Sequence, residues 1–112
     1  MKWTLAVVAA VLFFAPTDAP LFAAGDSSQG EALYKKAKCA MCHSADGSAS
    51  TPAGKQFKAR DLRSPEVQKQ SDAELERFIR DGKGKMPSFG SALKAEEIQD
   101  LVAFVRKLAS QK

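Results

Sequence analysis

Histidine and cysteine are scarce: the 112 residues hold one histidine and two cysteines. A structural zinc site takes four such ligands, so a Cys/His zinc centre is excluded on count. Nowhere does hydrophobicity alternate with period two for long enough to make a strand, and no segment repeats. A β-fold and a repeat architecture are therefore set aside, and an all-α domain is expected. The longest apolar run, Leu5 to Ala15, is eleven residues, short against the roughly 20 that a bilayer core demands. The net charge is only +4 and its lysines are dispersed, whereas a nucleic-acid surface needs a dense basic stripe. No nucleic-acid partner is expected.

The same apolar run does have a use. It follows basic Lys2 and precedes Pro16, Pro20 and the small pair Ala23-Ala24, which is the three-part plan of a secretory leader. Pro20 blocks a cut after Ala19, so cleavage near Ala24 is expected. Residues 1–24 then form the signal peptide and residues 25–112 the single mature domain, destined for the periplasm. The alternative is an uncleaved membrane anchor, against which the shortness of the run argues. The mature domain has no membrane span, and a monomer is expected. The 88 residues that remain keep the +4 charge, because the leader carries one lysine and one aspartate. A core this small is marginal without a metal, disulfide or cofactor to staple it.

Four helical signals punctuate the mature stretch. Ser28-Gln29-Gly30-Glu31 has the form of a capping box and opens a helix running to about Lys38, with Leu33, Tyr34 and Ala37 at helical spacing. Residues 45–59 are rich in Ser, Gly, Thr and Pro and read as loop. Ser64-Pro65 suits a short helix with proline at its first position. Ser71-Asp72-Ala73-Glu74 is a second capping box, followed by Leu75, Phe78 and Ile79, and Gly82 ends that helix near Asp81. Gly82 to Gly90 reads as irregular. The last helix carries Ile98, Leu101, Val102, Val105 and Leu108 as one stripe, with Glu96 and Glu97 at its start and Arg106 and Lys107 near its end, as the helix dipole favours.

The chemistry lies in Cys39-Ala40-Met41-Cys42-His43. An exported pair of cysteines first suggests a disulfide, but C-x-x-C-H is the attachment pattern of c-type haem. Two intervening residues let both thiols reach the vinyl groups along one porphyrin edge, and the adjacent imidazole turns toward iron. A thiol-redox role would be accompanied by a βαβ pattern, which is absent. Haem c, covalently bound and one per chain, is the cofactor that would staple the small core. A second axial ligand follows by elimination: His43 is the only histidine, Met1 belongs to the leader, and Met41 is confined between the two cysteines. Met86 remains, in a Gly/Pro-rich segment 43 residues beyond His43. A thioether ligand raises the iron potential. Six-coordinate iron has no open position, so a one-electron carrier rather than an enzyme is expected. Its rivals are a five-coordinate sensor or enzyme and a haem-free thiol protein.

Three blocks together resemble the class I cytochrome c family, and specifically its small bacterial, cytochrome c6-like members. They are Gly30 to Tyr34 with Cys39 to His43, Gly82 to Phe89, and Glu97 to Arg106. The resemblance implies the cytochrome c fold, three to four helices wrapped around one haem, with the first and last crossing near Gly30 and Phe104. It implies metal ligation by His43 and Met86, and a redox protein donor and acceptor. It also implies that a proline carbonyl orients the histidine, for which Pro52 is the candidate. Phe57, Leu62, Phe78 and Phe89 are expected to line the pocket. Arg60 and Lys55 carry charge for a haem propionate or for solvent. Lys35, Lys36, Lys38, Lys58, Lys83 and Lys85 give a weakly basic face suited to an acidic partner. The Ser48–Ala53 loop is less typical of the photosynthetic members, and Lys94 stands where the family's last helix often has a serine or threonine cap, which leaves the start of that helix open.

Overall fold

Four of the helices in the domain begin at a side chain, Asp26, Thr51, Ser64 or Ser71, that accepts from their unpaired N–H donors. The computed structural model of the chain describes residue 6, residues 9–12 and residues 25–111. The expected leader, with Met1 and Trp3, falls outside the described residues apart from Ala6 and residues 9–12. Six helical segments follow: α1 (Ser27–Lys36), α2 (Ala40–His43), α3 (Pro52–Gln56), α4 (Pro65–Gln68), α5 (Asp72–Asp81) and α6 (Ala95–Ser110). No strand occurs among the described residues, and the architecture is all-α.

The expected bounds of α5 hold. Ser71 accepts from the Glu74 N–H at 3.1 Å, Glu74 accepts from the Ser71 N–H at 3.3 Å, and Gly82 caps the other end at φ 73°. Ser64 caps α4 through the Val67 N–H with Pro65 at its first position. Two expectations need correction. Asp26, not Ser28, caps α1: its carboxylate accepts from Ser28 N–H at 2.9 Å and Gln29 N–H at 3.4 Å, and its own N–H donates to Asp100 Oδ1 at 2.8 Å. The 45–59 segment is not loop throughout, because Thr51 accepts from Gly54 N–H at 3.0 Å and Pro52 starts α3. Lys94 does start α6, with Glu97 Oε1 accepting its N–H at 3.0 Å.

Packing is centred on α6. Its buried face joins two clusters. One unites Tyr34, Leu101, Phe104 and Leu108, and the other Val67, Leu75, Val102 and Val105. Burial of a side chain of this kind is worth about 1.5–3 kcal/mol. The crossing of α1 over α6 depends on Gly30: a Cβ there would collide with the Asp100 carbonyl oxygen and lie 2.9 Å from Phe104 Cβ. Tyr34 and Phe104 meet edge to face, centroids 5.0 Å apart. Arg106 ties α6 to the α4–α5 corner by donating to Gln68 O (2.8 Å), Gln70 O (2.6 Å) and Asp72 Oδ1 (2.8 Å). These bonds satisfy carbonyls that the ends of short helices leave open.

Candidate functional site

The C-x-x-C-H segment is held by what lies on either side of it. The chain leaves α1 through Lys38 at φ 62°, and Cys39 N–H donates to Tyr34 O at 3.1 Å. After His43 it turns sharply at Ser44, φ 67°. That turn is pinned from below: the buried Tyr34 hydroxyl donates to Ser44 O at 2.6 Å, and burial raises its pKa, so it stays a donor. Ser44 Oγ accepts from Ser50 N–H at 2.7 Å and Thr51 N–H at 3.2 Å. Thr51 Oγ1 donates to Met41 O at 2.6 Å. The motif is thus clamped between α1 and α3.

Cys39, Cys42, His43 and Met86 line one cavity of about 370 Å³, whose walls include Phe57, Leu62, Phe78 and Phe89. The volume lies within the range of small-molecule and cofactor pockets. Cys39 and Cys42 are free thiols, and burial pushes the Cys39 thiol up to about 11. Among the described residues no cluster of three or more His, Cys, Asp or Glu could hold a metal.

His43 Nδ1 lies 3.0 Å from Arg60 O. A carbonyl only accepts, so Nδ1 carries the proton and Nε2 is left free as a ligand nitrogen. This corrects the expectation for Pro52. Pro52 sits at the start of α3, and the carbonyl on the imidazole belongs to Arg60, in the irregular segment between α3 and α4. The Arg60 guanidinium meanwhile faces Glu66 at 3.9 Å on the exposed surface.

Met86 stands in a short hairpin turn, since Lys83 and Met86 exchange backbone hydrogen bonds of 3.1 and 3.0 Å. Beyond it, Ser88 Oγ donates to Arg80 O at 2.5 Å and Phe89 N–H to Ile79 O at 3.0 Å. The 82–90 segment is therefore built onto the end of α5. Among the expected cations, Lys58, Arg60, Lys83 and Lys85 gather at the cavity. Lys35 instead pairs with Glu31 along α1, at 3.4 Å. Outside α1 and α3, Met41 and Phe57 are the exposed large apolar side chains of this region.

The family model for the cbb3-type cytochrome c oxidase subunit III matches residues 25–105. The chain belongs to the class I cytochrome c family. This cytochrome is 32% identical over 109 residues to a cytochrome c6 of Rippkaea orientalis, covering 94% of this chain and 92% of that one. It is 34% identical over 87 residues to a cytochrome c6 of Aphanizomenon flos-aquae, covering 75% and 92% respectively. Membership makes it a c6-like haem protein of electron transport. The cavity fits such a group, because two thiols, one imidazole and one thioether meet there within apolar walls. Sequence reasoning missed Arg60 as the histidine's partner. It also missed the Tyr34–Ser44 bond and the walls contributed by Val67, Leu75, Ile79 and Val105.

Proposed function

We propose that residues 25–112 form an exported one-electron carrier, with Cys39 and Cys42 holding haem c and His43 and Met86 as its two axial ligands. Haem c supplies a one-electron iron couple when bound. The observation that carries this reading is the meeting of the C-x-x-C-H segment and Met86 in one apolar cavity, although α3, α4 and α5 separate them in sequence. His43 is oriented through Arg60 O, which leaves Nε2 for iron. Partner groups of this kind fix the tautomer and raise ligand basicity. The Met86 thioether favours the reduced state. Apolar side chains line the cavity around both ligands.

Residues 1–24 act as the leader, which leaves a monomer without a membrane span in the periplasm. Gly25 supports that boundary: it packs on the Gln99 carbonyl, so the folded domain includes it, and the family match starts there. Among the described residues no helix is long and apolar enough to cross a membrane. Redox proteins are the donor and acceptor. The four cations at the cavity suit an acidic face on one of them.

The test is a visible spectrum, a redox titration and denaturing electrophoresis on protein matured by a host that attaches haem c. Haem should remain on the polypeptide, and Cys39→Ala with Cys42→Ala should remove it. The reduced protein should be inert to carbon monoxide. Haem extracted by acidic organic solvent would refute the attachment, and ready binding of carbon monoxide would install the five-coordinate reading instead.

A further inference from the structure

The hairpin that carries Met86 turns back on the C-terminus of α5, and the residue at the point of closest approach is Gly82. Its φ of 73° is one that side-chain-bearing residues rarely adopt. A Cβ on it would lie 2.7 Å from Met86 O, 2.8 Å from Pro87 C and 2.8 Å from Ser88 N. Carbon contacts are normally 3.5–4.0 Å. All three obstructing atoms are backbone, so no side chain can rotate out of the way. Relieving the contact requires the backbones at Gly82 and at 86–88 to separate.

The 86–88 segment has little freedom to move in any other manner. Met86 N–H is tied to Lys83 O, Ser88 Oγ to Arg80 O, and Phe89 N–H to Ile79 O. Gly84, two residues on, provides an internal contrast. It also has a positive φ, 58°, yet a Cβ there meets nothing within 4 Å. The two glycines share the conformational requirement and differ in the contact.

We infer that Gly82 is a positioning residue for Met86: the absence of its Cβ lets the 86–88 backbone close against α5 and fixes how far Met86 reaches into the cavity. The inference rests on Met86 being the second axial ligand, which Met86→Ala tests separately.

The experiment compares haem-loaded wild type, Met86→Ala, Gly82→Ala, Gly84→Ala and Ser88→Ala. The readouts are the long-wavelength sulfur-to-iron band of the oxidised state, the rate of carbon monoxide binding to the reduced state, the reduction potential and far-ultraviolet helicity. Gly82→Ala should lose the band, lower the potential and bind carbon monoxide about tenfold faster or more, as expected when an overpacked segment is displaced. Its helicity should be unchanged, and Gly84→Ala should keep the band and the wild-type rate. Ser88→Ala removes one hydrogen bond of ordinary strength and should raise the rate about five- to tenfold. It carries the test if Gly82→Ala fails to accumulate, and a wild-type rate in it would then overturn the inference. So would a Gly82→Ala protein like wild type, or one no different from Gly84→Ala, while Met86→Ala responds. If Met86→Ala itself alters neither band nor potential, the ligand assignment falls and the inference falls with it.

Discussion

Gly30→Ala should cost this small domain much of its stability. The added methyl would collide with the Asp100 carbonyl oxygen and lie 2.6 Å from its carbon and 2.9 Å from Phe104 Cβ. Two of these atoms belong to the backbone of α6, so α1 must lift away from it. Overpacking of this kind costs about 1–3 kcal/mol. Lifting α1 also loosens the edge-to-face pair of Tyr34 and Phe104, worth about 0.5–1.5 kcal/mol beyond its buried area. The total is about 2–4 kcal/mol, and at about 4–8 °C per kcal/mol for a domain of this size the melting temperature should fall by about 10–30 °C. Thermal unfolding of the haem-loaded protein, followed by far-ultraviolet circular dichroism, measures it. A denaturant titration should show a lower midpoint with unchanged slope. Ala32, exposed on α1, is the control, and Ala32→Ser should stay within about 0.5 kcal/mol. A melting temperature for Gly30→Ala within about 3 °C of wild type would show that the helices separate cheaply and that Gly30 does not set their crossing.

Met86→His should keep the iron six-coordinate at a lower potential than wild type, whereas Met41→Ala, confined to the attachment segment, should leave spectrum and potential unchanged. A shift in Met41→Ala equal to that in Met86→Ala would reverse the ligand assignment. Tyr34→Phe removes the hydroxyl bond to Ser44 O, but that carbonyl keeps the Gly47 N–H at 3.2 Å. The loss is then about 1 kcal/mol, read as a lower denaturant midpoint, and no change would mean the hydroxyl finds an equal partner. If Lys58, Arg60, Lys83 and Lys85 steer an acidic partner, the bimolecular electron-transfer rate should fall as ionic strength passes 0.1 M, where screening acts over about 10 Å. A salt-independent rate would place the contact on Met41 and Phe57 instead.

Residue types and their spacing were enough for the elements whose causes are local. Ser71, Glu74 and Gly82 delimit α5, Ser64 and Pro65 begin α4, and the stripe from Ile98 to Leu108 marks the buried face of α6. The C-x-x-C-H run was legible for the same reason, since its chemistry requires five neighbouring residues. Met86 could be put forward as the proposed second ligand by elimination among few candidates, because only side chains that differ in type had to be compared.

Tertiary contacts decided the rest. Ser28 and Glu31 form a plausible cap, but Asp26 takes that role, and its own N–H is held by Asp100 from the far end of the chain. The partner of His43 is a main-chain carbonyl, a group every residue carries, so nothing in the identity of Arg60 marks it. Pro52 was the wrong choice because residue type says nothing about which carbonyl the folded chain brings to an imidazole 17 positions away. The fit of Gly82 against the 86–88 backbone is hidden for the same reason. A sequence shows that a side chain is missing, and only the fold shows which atoms occupy its place.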